Sequence, residues 1–206
     1  MVITDVEFAC SANVCRSIIA EAIGGDVKVR YKQLVGVRLS SSGSRALDAQ
    51  KSMKDPQAAR EFLLPYLDRG VSTQALDSKL IEAVKAENDK ASLLAIEQAF
   101  EYEWGCVKRV LGAKSLKALS EPMKQMVVRP DSGLILAMND RNVEAVQEIY
   151  KGSRFEPEIA NLSDFSVNGS KIEYDFFPTY EEYEALADNI HAAVIKAFEH
   201  YISKGN

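Results

Sequence analysis

The apolar run Gly133-Leu134-Ile135-Leu136-Ala137-Met138 constrains the fold more tightly than any other segment. It shows no alternation of polar and apolar positions and is too short for an ordinary buried helix. Such a run reads as a strand covered on both faces, the usual environment of a parallel sheet with helices on each side. The rest of the chain fits that frame. Residues Val2 to Phe8 read as a strand despite Thr4, Asp5 and Glu7. An apolar-rich helix begins at Ser17-Ile18-Ile19, with Ser17 near its N-cap, and Gly24-Gly25 ends or bends it. Val35 to Leu39 read as a second strand running into a polar turn, Ser40 to Ser44. Asp55-Pro56 opens a helix to about Asp68, with Gly70 just past its end. A helix from about Arg141 to Tyr150, a short strand within Pro157–Leu162 and a last helix from about Thr179 to Ser203 complete the order. Four strands alternating with helices predict an α/β fold: a three-layer α/β/α arrangement around a four-stranded parallel sheet.

The chain has 206 residues, 47% of them apolar, which suits one domain with a full core and no need of disulfides or a structural metal. Residues 77–128 are charged and helix-rich, and read as a helical insertion within that single domain. The formal net charge of −5 argues against nucleic acid or an anionic membrane surface as partner, so an anionic ligand needs a local positive site. The N-terminus lacks the basic start of a signal peptide, and no apolar run approaches the roughly 20 residues of a membrane span. Three cysteines do not make a secreted disulfide framework. The expectation is a cytoplasmic protein with reduced thiols.

The chemistry sits in Cys10-Ser11-Ala12-Asn13-Val14-Cys15-Arg16-Ser17, after a strand and before a helix. A tight loop there converges its backbone N–H groups on one point, and the helix N-terminus adds partial positive charge. Arg16 supplies a planar fork for two oxygens of a phosphate or sulfate. Cys10 lies in the same field, which favours a nucleophilic thiolate. Ser17 can donate its hydroxyl hydrogen to that sulfur. Asn13 tolerates the positive φ such a loop requires.

This segment resembles the phosphate loop of the low-molecular-weight protein tyrosine phosphatases, and Ile18-Ile19-Ala20-Glu21-Ala22 resembles the helix start that follows it there. Ile18 stands in place of the family's proline, and Ala12 in place of its glycine. Ser41-Ser42-Gly43-Ser44 resembles the family's turn whose first serine holds the loop asparagine. That assigns the role to Ser41, with Ser40 or Ser42 as alternatives one residue away. Leu134 to Met138 resembles a family strand. The likeness covers about 1–75 and 130–206, leaving 77–128 outside it.

The resemblance implies a phosphatase working through a cysteinyl-phosphate, with Cys10 as nucleophile, Arg16 and the loop from Ser11 to Ser17 holding phosphate, and neither metal nor cofactor. The family's general acid is an aspartate before the last helix. Asp175-Phe176-Phe177-Pro178 occupies that place, with proline two positions later than in the family, and Phe176 and Phe177 as pocket wall. Asp164 is the competing acid. Phosphotyrosine in a protein, or a small aryl phosphate, is the expected substrate. Val14, where relatives acting on phosphoarginine carry threonine, leans the same way. Cys15 either pairs with Cys10 under oxidation or simply packs. Cys106 cannot alone supply the cysteine pair of an arsenate reductase. His191 and His200 do not share a ligand face. A second reading is a phosphatase-like module that holds an oxyanion or phosphoprotein with little turnover.

Overall fold

The computed structural model describes residues 3–68, 75–130, 133–167, 171–173 and 178–205. Gly70, named above as a helix stop, lies outside them. Four parallel strands form one sheet: β1 (Asp5–Cys10), β2 (Arg38–Gly43), β3 (Leu134–Ala137) and β4 (Glu158–Asn161), in the order β2-β1-β3-β4. The helices are α1 (Arg16–Lys28), α2 (Ala46–Ser52), α3 (Pro56–Leu67), α4 (Ser78–Lys85), α5 (Asp89–Ala113), α6 (Asp140–Tyr150) and α7 (Tyr180–Gly205). The fold is therefore α/β with helices flanking the sheet, as the sequence pattern predicts. Among the described residues, no helix is long and apolar enough to cross a membrane.

β1 is central and starts later than its sequence implies. Its alternate residues part cleanly. Val6 and Phe8 join the core with α1 and α7, whereas Asp5 and Glu7, each 2% exposed, are buried on the other face. Those carboxylates are answered by Arg129, whose Nη2 donates to Asp5 Oδ1 at 3.2 Å, Glu7 Oε2 at 2.9 Å and Ser40 Oγ at 3.0 Å. Polar residues persist in this central strand because each has a charged or hydroxyl partner.

β2 differs from the sequence reading. Of the turn expected at Ser40–Ser44, residues Ser40–Gly43 instead form the C-terminal part of the strand, in register with Glu7–Cys10, and Val35 lies outside it, exposed. The serines are buried because their hydroxyls are spoken for: Ser42 donates to Glu7 Oε1 at 2.5 Å and Ser41 to Glu21 Oε2 at 2.8 Å. α1 does not end at Gly24-Gly25 but continues through both to Lys28. Gly24 is there for proximity: a Cβ would lie 3.0 Å from the Phe8 ring and 3.2 Å from Leu39.

The 77–128 region consists of α4 and α5 followed by residues 114–128, which carry no helix. Asp77 and Asn88 cap the two helices, each accepting a backbone N–H. Leu80, Val84, Ala95, Ile96, Ala99 and Phe100 pack with Ala59, Leu63 and Leu67 of α3 into a second apolar cluster, and Val14 joins it. The segment after α5 returns to the sheet: Gly43 N–H donates to Lys124 O at 2.8 Å and Met126 N–H to Gly43 O at 2.9 Å, extending the edge of β2 by one bridge.

Candidate active site

The carboxyl ends of β1 and β3 open into a cleft of about 810 Å³, where ligands of open α/β sheets bind. Cys10 ends β1 on its floor. The chain then turns tightly through Ser11–Cys15 and enters α1 at Arg16. Ser17 lies inside the first turn of α1, two residues after the N-cap residue Cys15. No side chain caps this helix, so its first N–H groups face the loop.

The loop is held by side chains whose bonds form one chain. Cys10 Sγ and Ser17 Oγ lie 3.0 Å apart, and Asn13 N–H donates to Cys10 Sγ at 3.2 Å. Asn13 has φ 53°, the left-handed conformation. Its Nδ2 donates to Ser17 Oγ and to Ser41 Oγ, each at 3.0 Å. Ser41 in turn donates to Glu21, which also accepts from Ser120 Oγ at 2.8 Å. Glu21 is 2% exposed. Burial raises its carboxyl above the usual range, opposed by the two serine bonds and by Lys124.

β2 presses against this loop from below. Cys10 and Gly43 are register partners, and a Cβ on Gly43 would lie 2.6 Å from Ser11 O and 2.8 Å from both Ala12 C and Asn13 N. Ser44 N–H donates to Cys10 O at 2.9 Å and Arg45 N–H to Ser11 O at 2.8 Å. Asn142, on α6, donates to Ser11 Oγ at 3.0 Å.

Arg16 lines the cleft and donates from Nη1 to Ile172 O at 3.1 Å. The loop residues Ser11, Ala12, Val14 and Cys15 line it too, whereas Asn13 and Ser17 lie beneath, fully buried. The structure thus brings Cys10, Asn13, Arg16, Ser17 and Ser41 together. Asp164 sits exposed in the short 3₁₀ turn Leu162–Phe165 and is not among the residues lining the cleft. Asp175, Phe176 and Phe177 lie outside the described residues. Cys106 is on α5, where burial pushes its thiol up and Tyr102 bonds it.

Several lining residues carry no sequence signature of their own. Phe62 and Tyr66, four apart on α3 with ring centroids 6.0 Å apart, form an aromatic wall. Their spacing puts them on one helix face, the only trace legible beforehand. Arg45 pairs with Asp48 at 2.8 Å on the rim. Arg141 and Glu173 also line the cleft.

No protein-family model and no curated protein matches the sequence. Solved structures do. A protein tyrosine phosphatase from Entamoeba histolytica aligns over 98% of this chain and 99% of its own, with TM-score 0.60 at 14% identity. A low molecular weight phosphotyrosine phosphatase from Vibrio cholerae aligns over 98% and 99%, with TM-score 0.59 at 15% identity. A Drosophila arginine phosphatase aligns over 95% and 96%, with TM-score 0.56 at 16% identity. The chain therefore has the fold of the low-molecular-weight protein tyrosine phosphatases.

Proposed function

We propose that the protein is a cysteine-dependent phosphatase that hydrolyses phosphotyrosine or other aryl phosphate monoesters. The observation that carries this reading is the Cys10–Ser17 contact of 3.0 Å at the uncapped start of α1, with Arg16 in the same cleft. A phosphate placed over Cys10 meets the loop N–H groups, the helix N-terminus and a guanidinium, with the Ser17 hydroxyl in hydrogen-bond distance of the sulfur. The aromatic wall of Phe62 and Tyr66 suits an aryl leaving group in contact with it.

The reaction has two steps. Cys10 Sγ attacks phosphorus in line, so that an S–P bond forms as the P–O bond to the leaving group breaks. We assign the proton delivered to the leaving oxygen to Asp175, on its place in the sequence just before α7. In the second step Asp175 takes a proton from water, whose oxygen attacks phosphorus. The S–P bond breaks, releasing inorganic phosphate and the thiolate. Arg16 and the loop amides hold the equatorial oxygens throughout.

The test is hydrolysis of p-nitrophenyl phosphate, a phosphotyrosine peptide and a phosphoarginine peptide by wild type, Cys10→Ser, Asp175→Asn and Asp164→Asn. Cys10→Ser should be inert. Asp175→Asn should lose about 10²-fold or more in kcat, the ordinary contribution of a general acid, with Asp164→Asn near wild type. Turnover surviving in Cys10→Ser refutes the nucleophile. Phosphate binding without turnover in wild type replaces the enzyme with a binding module. Preference for phosphoarginine, the chemistry named for the Drosophila neighbour, overturns the aryl assignment.

A further inference from the structure

The stretch between α5 and β3 does more than connect them. Met123 N–H donates to Asn13 O at 2.7 Å, and Lys124 N–H donates to Asn13 Oδ1 at 2.9 Å. Two consecutive amides thus grip one loop residue. They point that way because Met123 is itself left-handed, at φ 59°. Non-glycine residues hold that conformation only where their surroundings enforce it, and such residues gather at functional sites. Three residues upstream, Ser120 donates to Glu21. The same stretch is fixed to its surroundings on both sides: Gln50 Nε2 donates to Met123 O at 2.8 Å, and Lys124 O accepts from Gly43.

The bond to Asn13 Oδ1 matters through the direction of hydrogen bonding. An amide side chain can present either its oxygen or its nitrogen, and only its partners decide which. With Oδ1 held by Lys124 N–H, Nδ2 must face Ser17 and Ser41. Ser41 has already given its hydrogen to Glu21. Ser17 therefore receives a hydrogen from Asn13 and has its own to offer, and the remaining partner is Cys10 Sγ at 3.0 Å. If the amide turned over, Ser17 would donate to Asn13 Oδ1 and leave the sulfur without that donor.

We propose that residues 120–126 form an intramolecular clamp that positions the nucleophile loop, with Met123 as positioning residue: its left-handed backbone aims the 123 and 124 amides at Asn13, and this fixes the Ser17 hydroxyl as donor to Cys10. The inference rests on the reading of Cys10 as nucleophile, and its test does not require turnover.

The test compares Met123→Gly with Met123→Val, and Lys124→Pro with Lys124→Ala. The readouts are the rate of Cys10 alkylation by iodoacetamide at neutral pH, followed by mass spectrometry of the Cys10 peptide, and kcat and KM for p-nitrophenyl phosphate, with thermal melting alongside. Glycine adopts positive φ freely and a β-branched residue does not. Met123→Gly should keep alkylation and kcat within about twofold, whereas Met123→Val should lose roughly tenfold in both, the scale of one hydrogen bond to a charged group, with KM little changed. Lys124→Ala keeps its N–H and should match wild type. Lys124→Pro removes the N–H and disfavours the left-handed preceding residue, and should behave as Met123→Val. A side chain needed only for packing against the second cluster predicts the reverse order, glycine worse than valine, and that order overturns the proposal. Wild-type alkylation in Lys124→Pro also overturns it. If Lys124→Pro does not fold, the Met123 pair decides. A wild type that alkylates selectively at Cys10 but hydrolyses no aryl ester would remove the proposed function and leave the clamp to be judged on alkylation.

Discussion

Gly43→Ala is the sharpest probe of the loop, because the substitution adds one methyl group and touches no reacting atom. The added Cβ would lie 2.6 Å from Ser11 O, 2.8 Å from Ala12 C and 2.8 Å from Asn13 N. Ordinary contact begins near 3.4 Å, so the loop must retreat by about 0.6–0.8 Å. All three obstructing atoms are backbone, and no side-chain rotation relieves them. Gly43 is itself pinned by its bonds to Lys124 and Met126 and by its register with Cys10, so the displacement falls on residues 11–13. A misplacement approaching 1 Å at a catalytic group removes roughly 10²-fold in rate. Overpacking of this kind also destabilises by about 1–3 kcal/mol, or a few degrees in Tm for each kcal/mol in a chain of this size. The assay is kcat/KM for p-nitrophenyl phosphate beside a melting curve. Gly105→Ala on α5, where a Cβ meets nothing within 4 Å, is the matched control and should retain full activity and stability. A Gly43→Ala enzyme with wild-type kcat/KM would show that Ser11–Asn13 do not need their present positions.

Two further perturbations address the buried charges. Glu21 has its carboxyl raised by burial, so the folded protein binds its proton more tightly than the unfolded chain. Its contribution to stability is thus fully present below the usual glutamate range and declines as pH rises through the raised value. Denaturant titrations from pH 4 to 8 should show that decline in wild type and a flatter profile in Glu21→Gln; parallel profiles contradict the assignment. Arg129→Met strips the shared partner from Asp5 and Glu7, both almost fully buried. Removing one side of a buried ion pair costs about 3–5 kcal/mol, and because Arg129 is partly exposed the lower end applies. Urea unfolding at pH 7.5 measures it, and a loss below about 1 kcal/mol would mean that water already solvates those carboxylates.

How much of this was legible beforehand follows the range of the interactions. The loop from Cys10 to Ser17 is local, so strand, loop and helix start could be read together, and Asn13 could be matched to a left-handed position. β3 was legible because a strand buried on both faces declares itself by composition. β2 was not. Ser40 to Gly43 look like a turn until Glu7, Glu21, Asn13 and Arg129, all distant in sequence, provide partners for the hydroxyls. The same holds for Gly24, whose role depends on Phe8 and Leu39 across the helix–sheet interface. Residues 114–130 follow no period of 2 or 3.6, and their contacts to the loop pass largely through backbone amides. Nothing in side-chain type marks Met123 or Lys124 as partners of Asn13.

The helices of 78–113 also have a consequence for the cleft that charge and composition do not disclose. α5 packs against α3, where the Phe62 ring lies 5.5 Å from that of Phe100 and Tyr66 borders the same apolar cluster, and Arg60 bonds Asp89 at 2.6 Å across that junction. At its middle α5 meets the start of α7: Tyr102 donates to Pro178 O at 2.8 Å, Tyr183 bonds the buried Glu103, and Arg109 stacks on Tyr180 at 3.7 Å. Val14 of the loop enters the same apolar cluster, and the chain leaving α5 reaches Asn13. An appended helical hairpin would touch the sheet at one edge and leave the cleft indifferent to it. Here one helical unit braces Phe62 and Tyr66, the Cys10–Ser17 loop, Pro178 and the start of α7. Close-packed contacts transmit displacement rather than absorb it. Substitutions in the α3–α5 junction should therefore alter the cleft without contacting anything bound in it, and loosening this unit reaches the wall and the loop together.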